Sequence, residues 1–297
     1  MRQSTNKILM IKPVNFSFNK ETAKDNLYQN KSSKSNNEIQ NKALEEFSNF
    51  TSILKSKGVD VIIFEDTNHP YTPDSIFPNN WFSTHNGTLC IYPMFAENRR
   101  EEIFKFKDKL IDIYNPMQIF DFSKYAYQNS KFLEGTGAII FDRVNKRAFC
   151  SLSKRADKEL FLQICKSLNY NGFTFKSFHL GGEIYHTNVM MSICSDFIFV
   201  ASKLIDENDR ENIISELSKY HKIIELTSEQ ILNFAGNVLE LQGNEGKFIV
   251  MSNSAYNILS SEQKEVIEST LPIVKVNIET IEKIGGGSAR CMMGEIF

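Results

Sequence analysis

The sequence predicts an α/β protein whose sheets form a closed ring of five repeated units. Three observations predict it. Strand and helix signals recur along the chain in the order strand, strand, helix, strand, and alternation of this kind defines the α/β class. The segments left over at the two chain ends complete one more such unit between them. Finally, Asn80, Glu134, His186, Asn237 and Cys291 recur at intervals of 51–54 residues, each just ahead of a unit's first strand. In a closed ring, equivalent positions face a common axis, which would gather a carboxylate, an imidazole and a thiol from distant points of the chain. Pairing the last strand with the first would also remove free sheet edges at the seam. On pattern alone, an ordinary mixed α/β sandwich remains the alternative.

The elements follow in order. KILMIK (7–12) reads as a strand, 38–57 as a long helix and VDVIIFE (59–65) as a strand. The intervening stretch Asn19–Asn37, rich in Asn, Lys and Ser, is polar enough to be an ordered lid or a mobile loop. PDSIFPNNWFSTHNG (73–87) is a loop dense in polar and aromatic side chains, including Asp74 and the only tryptophan, Trp81. Strand 88–93, helix 97–112 and strand 117–121 come next. GAIIFD and RAFCSL read as a hairpin, followed by a helical pattern over 155–168 and the strand FTFKSF. The order returns with NVMMSI, DFIFVA, a helix near 206–219 and KIIEL. It returns again with NVLELQ, KFIVMS, a helix near 260–269 and PIVKVN. The C-terminal ARCMMGEIF is one more strand-like piece, and residues 1–297 are expected to form a single catalytic domain.

Composition narrows the function. The chain of 297 residues is 41% hydrophobic and 24% charged, ordinary for a globular protein. Its 34 Lys and Arg against 36 Asp and Glu leave no basic excess for a nucleic-acid backbone. No apolar run approaches the roughly 20 residues that span a bilayer, and Ile8–Ile11 is too short for a signal-peptide core of about 7–15 residues. The five cysteines, Cys90, Cys150, Cys165, Cys194 and Cys291, are scattered without CxxC or Cys/His pairing. Neither a disulfide frame nor a metal site is indicated, and a cytoplasmic location is expected. Gly135 and Gly137 do not make a dinucleotide fingerprint, so no nicotinamide cofactor is expected.

Cys291 is the cysteine set apart. It follows IGGGSAR, where Gly285–Gly287 allow close backbone approach to a ligand, and Arg290 beside it would favour a thiolate. His186 in GGEIYHTNVMM could serve Cys291 as general base and acid. Glu134 in FLEGTGAIIF would orient His186 or bind substrate N–H groups. Cysteine, histidine and carboxylate together make the constellation of thiol nucleophilic catalysis, although chain order alone does not make them meet.

The motifs FPNNWFSTH, FLEGTGAIIFDRVNKRAFCSLSKR, YHTNVMM, GNVLELQG and GGGSARCMMGEIF together resemble those of the guanidino-group-modifying enzymes. These are the relatives of arginine deiminase, dimethylarginine hydrolase and amidinotransferase, and the chain is most similar to the citrulline utilization hydrolase (CtlX-type) subgroup. The resemblance runs from the first strand to the last residue. It implies the pentein fold, a five-bladed α/β propeller of ββαβ units closed by the N- and C-terminal strands. It also implies Cys291 as nucleophile, His186 as general acid/base and Glu134 as supporting carboxylate, with no cofactor. Asn79 and Asn80 fall on a segment that holds the amino-acid end of the substrate. Arg155 falls where an arginine would pair with the α-carboxylate, and Arg99 or Arg100, with Arg100 favoured, would play a similar part.

Two departures bear on the substrate. Arginine deiminases carry carboxylates where this chain has His85 and Asn188, and those carboxylates clamp a guanidinium. A guanidinium desolvated without counter-charge would be disfavoured by several kcal/mol, whereas a neutral ureido group suits His85 and Asn188 as donors. The expected reaction is therefore hydrolysis of citrulline to ornithine, ammonia and carbon dioxide through an S-carbamoyl enzyme. The alternatives are an arginine deiminase, an amidinotransferase, or a non-catalytic binding protein on the same fold. The expected partner is a small ureido or guanidino amino acid, with a homo-oligomer left open.

Overall fold

In the computed structural model, which describes residues 2–297, the alternating segments fold into five three-stranded sheets. In each sheet the second strand is antiparallel to the first and parallel to the third, with a helix on the crossover. Phe82–His85, Thr88–Ile91 and Gln118–Asp121 make one sheet, around the helix Glu97–Tyr114. Ile139–Asp142, Arg147–Ser151 and Asn171–Phe175 make the next, around Lys158–Leu168. Met191–Ile193, Phe197–Val200 and Lys222–Glu225 follow, with Glu207–Ser218. Leu239–Gly243, Gly246–Ser252 and Ile273–Val276 are the fourth set, with Ser261–Glu268. The fifth sheet is shared between the termini. Lys7–Lys12 lies parallel to Asp60–Glu65 and antiparallel to Gly294–Glu295.

Middle strands are covered on both faces, so they read as unbroken apolar runs rather than alternating ones. Phe197, Ile198, Phe199 and Val200 are all buried. The helix Asn36–Ser56 shows the other periodicity, burying Ile39, Ala43, Phe47, Phe50 and Leu54 along one stripe. A capping box between Ser35 and Glu38 starts it.

Hydrogen bonds lead from each sheet to the next and return to the first. Thr84 Oγ1 donates to Glu295 O at 2.9 Å, and Thr136 Oγ1 to Asn79 O at 3.1 Å. Ser151 N donates to Thr187 Oγ1 at 2.8 Å, and Ser195 Oγ to Glu240 Oε1 at 2.6 Å. Gln242 N then donates to Thr5 O at 2.9 Å, closing the circuit. Five separate sheets in a ring exclude the sandwich alternative. No helix among the described residues is long and apolar enough to cross a membrane.

Two local expectations are corrected. The segment 73–87 is not a loop throughout, because Phe82–His85 is the first strand of its sheet. Asn86 and Gly87, with φ of 43° and 82°, close a two-residue hairpin turn onto Thr88. In ARCMMGEIF only Gly294–Glu295 is strand. Ala289–Met292 is a 3₁₀ turn instead.

Candidate active site

Each sheet's first strand is preceded by a short turn, and these turns carry the residues with the 51–54-residue spacing. The turns are Pro78–Asn80, Gly135–Ala138, Thr187–Val189, the bend ending at Asn237, and Ala289–Met292. They bond to one another around the ring. Thr187 Oγ1 donates to Ala138 O at 2.5 Å, Asn237 Nδ2 to Asn188 O at 2.9 Å, and Arg290 N to Asn237 Oδ1 at 3.0 Å. Thr22, Asn26, Asp74, Asn80, Arg99, Arg155, Tyr185, His186 and Cys291 converge on one small cavity there. Its volume is about 20 Å³, room for roughly one water molecule.

Cys291 is 4% exposed, and its sulfur receives two amide N–H groups, from Asn188 Nδ2 and Asn237 Nδ2, each at 3.3 Å. Arg290 does not supply the cation expected beside the thiol. Its guanidinium turns away to Glu295 Oε2 at 2.8 Å and Met293 O at 3.2 Å. Gly285, Gly286 and Gly287 line the same cavity, so the loop does bring main chain to the ligand space, and it is tightly packed as well. A Cβ at Gly285 would stand 2.7 Å from the Phe77 ring, and Gly286, at φ 64°, ends the helix Glu279–Gly285.

His186 and Glu134 meet directly, with Nε2 2.7 Å from Oε2. The other carboxylate oxygen accepts from Phe95 N at 2.9 Å, and Arg155 Nη1 lies 3.4 Å from Oε2. Burial opposes ionisation of Glu134, but the Arg155 charge, the His186 hydrogen bond and Arg99 outweigh it and hold the carboxyl well below its ordinary range. Burial pushes His186 below its ordinary value, against the pull of Glu134. A neutral ring facing an ionised carboxylate carries its proton on Nε2, which leaves Nδ1 as a base. That nitrogen faces Gly137, where a Cβ would sit 2.7 Å away.

The pocket also holds polar atoms with no partner. Asp74 Oδ2 accepts from Asn19 Nδ2 at 2.8 Å and Thr22 Oγ1 at 3.0 Å, but Oδ1 is buried and unpaired. Asn80 Oδ1 accepts from Arg99 Nη1 at 2.6 Å while its Nδ2 has no partner, and Asn188 Oδ1 has none either. An unmet buried polar atom costs about 1–3 kcal/mol, so a cluster of them marks a place built for another group.

Cys291, His186, Glu134, Asn80, Arg155 and Asn188 are thus brought together, and three expected residues are not. His85 is carried away by the strand Phe82–His85 and contacts Ser83 Oγ at 2.8 Å and Arg143 Nη1 at 3.1 Å. Burial and the Arg143 charge hold it well below its ordinary value. Arg100 binds Met94 O and Phe95 O and lies over the Tyr127 and Phe132 rings. Its neighbour Arg99 takes the inward position. Asn79 is fully buried and its backbone oxygen accepts from Thr136 Oγ1. Like Asn188 it does not line the cavity, but unlike Asn188 it makes no hydrogen bond to Cys291, and both its side-chain amide atoms are without a partner. Asp74 was visible only as part of a polar loop, and Thr22, Asn26 and Tyr185 carried no local signal.

A family profile described as N,N dimethylarginine dimethylhydrolase, eukaryotic, matches residues 12–297. A comparison with curated protein sequences returned no match. Among solved structures, the N-terminal domain of ArgZ, an arginine dihydrolase from the ornithine-ammonia cycle in cyanobacteria, bound to substrate, superposes with a TM-score of 0.77. Identity is 18%, over 97% of this chain and 96% of that one. Unliganded AgrE gives 0.79 at 16% identity, over 98% of this chain but only 39% of that longer one. DDAH from Pseudomonas aeruginosa, a cysteine-to-serine variant complexed with citrulline, gives 0.69 at 16% identity, over 98% and 99%.

Proposed function

We propose a function on the premise that this chain belongs to the N,N dimethylarginine dimethylhydrolase family and has the five-bladed pentein propeller fold. The proposed activity is cysteine-dependent hydrolysis of a C–N bond at the guanidino carbon of an arginine-like amino acid. The observation that carries it is the pocket itself, where a doubly hydrogen-bonded Cys291 sulfur, the His186–Glu134 couple and the unpaired Asp74 Oδ1 face the same space. A buried carboxylate oxygen without a partner suits a guanidinium, which brings both charge and N–H donors. Asp74 thereby supplies the counter-charge whose apparent loss at His85 and Asn188 had favoured a neutral substrate.

In this scheme the Cys291 thiolate attacks the guanidino carbon, whose N–H groups are held by Asp74 and Asn188. His186 Nδ1, which takes the proton of the Cys291 thiol as the thiolate forms, delivers that proton to the departing amine as the C–N bond breaks, leaving an S-alkylthiouronium on Cys291. His186 then takes a proton from a water molecule, the oxygen bonds to the carbon, and the thiolate leaves. Glu134 keeps the imidazole oriented and stabilises its protonated form. From arginine the products are citrulline and ammonia.

A second reading is favoured by the neutral amide of Asn188 beside the sulfur. A ureido carbonyl could be attacked in the same way, so that citrulline gives an S-carbamoyl enzyme and ornithine, then ammonia and carbon dioxide. The test is a product assay on purified protein with arginine, N,N-dimethylarginine and citrulline offered separately. Citrulline from either guanidino substrate, lost in Cys291→Ala, is the expected result. Ornithine from citrulline alone would establish the ureido reading, and no turnover of any of the three would sink both.

A further inference from the structure

The resemblance implies that Arg155 receives a substrate α-carboxylate, yet most of its guanidinium is already engaged. Asp25 holds it as a two-point fork, through Nε at 2.8 Å and through a second, shorter contact at Nη2. Thr22 O takes Nη2 at 3.1 Å, Glu134 lies 3.4 Å from Nη1, and the Tyr185 ring lies 4.8 Å beneath the guanidinium carbon. Arg155 is 2% exposed and four of its five N–H groups are directed at these acceptors, so an incoming carboxylate cannot take two points of the fork without displacing one of them.

The segment that carries Asp25 also covers the other end of the pocket. Asn19 Nδ2 and Thr22 Oγ1 donate to Asp74 Oδ2, beside the Oδ1 assigned above to a guanidinium. Between these ends Asn26 Nδ2 donates to Gly286 O at 3.2 Å, and Asn30 N to Lys283 O at 2.7 Å. Beneath the segment the cavity holds about one water molecule's volume, far less than an amino acid needs.

We infer that Asp25 is a built-in competitor for the substrate α-carboxylate, so that pairing of a carboxylate with Arg155 displaces Asp25 and releases residues 19–30 from the pocket. This rests on the reading of the pocket given above, but the latch is a property of the chain whether or not that reading holds. A ligand with a carboxylate opens the site, whereas one with the same guanidinium and no carboxylate does not. Asp25 therefore opposes every ligand that needs the open pocket, and only a carboxylate offsets this by pairing with Arg155. The closed form lowers apparent affinity by the fraction of molecules that are open, and removing the competitor raises that fraction.

The test uses Asp25→Asn, which keeps the side-chain shape and removes the charge. Amide hydrogen exchange of residues 19–30 is followed in the unliganded protein, and in Cys291→Ala protein given arginine or agmatine, its decarboxylated analogue. Faster exchange in Asp25→Asn, and in Cys291→Ala with arginine but not agmatine, is expected. For turnover, KM values for arginine and for agmatine both lowered about tenfold in Asp25→Asn are expected, because each ligand needs the open pocket and loss of the competing anion raises the open fraction for both. Unchanged exchange in Asp25→Asn overturns the inference. So does a raised KM, which would make Asp25 a support that orients Arg155. If no substrate is turned over, the function proposed above fails while the exchange result still decides the latch.

Discussion

At the scale of single residues, Asp74 and His186 make the sharpest predictions. Asp74 Oδ1 is buried without a partner and is the acceptor proposed for a cationic substrate end. A hydrogen bond to a charged group contributes about 1.5–3 kcal/mol, roughly 10–150-fold in an equilibrium. Asp74→Asn is therefore expected to lower kcat/KM for arginine by that range and to leave citrulline nearly untouched. Equal losses on both would remove Asp74 from the charge-recognition role. For His186, burial lowers the folded value below the ordinary 6.5 or so. Since its neutral form is the base, kcat/KM should be flat near neutrality and fall on the acid side, below about 6.5. The same shift makes the unfolded chain take up the proton first, so this group's contribution is fully present above about 6.5 and is lost as pH falls towards the folded value. A profile that instead falls from pH 8 downward would contradict this. The thiol, imidazole and Glu134 were legible because they sit at one repeated place in the unit. Arg99 was not separable from Arg100, because neighbours on a helix point about 100° apart and only packing selects the inward one. Asp74 owes its role to Asn19, Thr22 and Arg99, contacts that no local pattern announces.

The short turns ahead of each sheet are the elements on which the proposed catalysis depends, and Gly137 shows how little room they leave. A Cβ there would lie 2.3 Å from Asn80 Nδ2 and 2.7 Å from His186 Nδ1. Gly137→Ala must push the imidazole or the amide aside, and displacement of about 1 Å at a reacting group can cost on the order of 100-fold. The expected outcome is a kcat lowered on that scale with the midpoint of thermal unfolding nearly unchanged. A large loss of stability with kcat retained would mean that the ring yields elsewhere. Long elements were well read from periodicity. Residues 97–112 and 206–219 were expected as helices and are found at Glu97–Tyr114 and Glu207–Ser218. The errors fall where a short element hides inside a functional-looking stretch. Asn86–Gly87 between Phe82–His85 and Thr88–Ile91 is a strong hairpin signal, masked by the polar residues ahead of it. The 3₁₀ turn at Cys291 lies in an apolar run and has no period long enough to distinguish it from strand.

For the whole molecule, the decisive feature is the seam at which the two chain ends share a sheet. Thr5 Oγ1 donates to Ile296 O at 2.5 Å, Phe297 N to Thr84 Oγ1 at 2.9 Å, and Tyr114 OH to Phe297 O at 2.9 Å. At its centre is Glu295, whose carboxylate lies 2.8 Å from Arg290 Nη2 and 3.7 Å from Arg143 Nη2. All three side chains are less than a tenth exposed. Arg290 adjoins Cys291, and Arg143, over the Phe297 ring at 3.9 Å, reaches His85 on the neighbouring sheet. One carboxylate thus joins the terminal strand, the Cys291 turn and two other sheets. Removing one partner of a buried ion pair costs about 3–5 kcal/mol, because the remaining charge stays desolvated and uncompensated. Glu295→Gln leaves two guanidinium groups in that state and is expected to lower unfolding free energy by such an amount, as measured by denaturant midpoint. The comparison is Lys12→Ala on the same sheet, where the Lys12–Glu65 pair is 45% and 72% exposed. An exposed pair contributes about 0–1 kcal/mol, so that variant should barely move the midpoint. If Glu295→Gln proved as mild as Lys12→Ala, the two arginines would be adequately satisfied by Met293 O and Thr84 O. The ring would then be held by its backbone hydrogen bonds and packing rather than by this carboxylate.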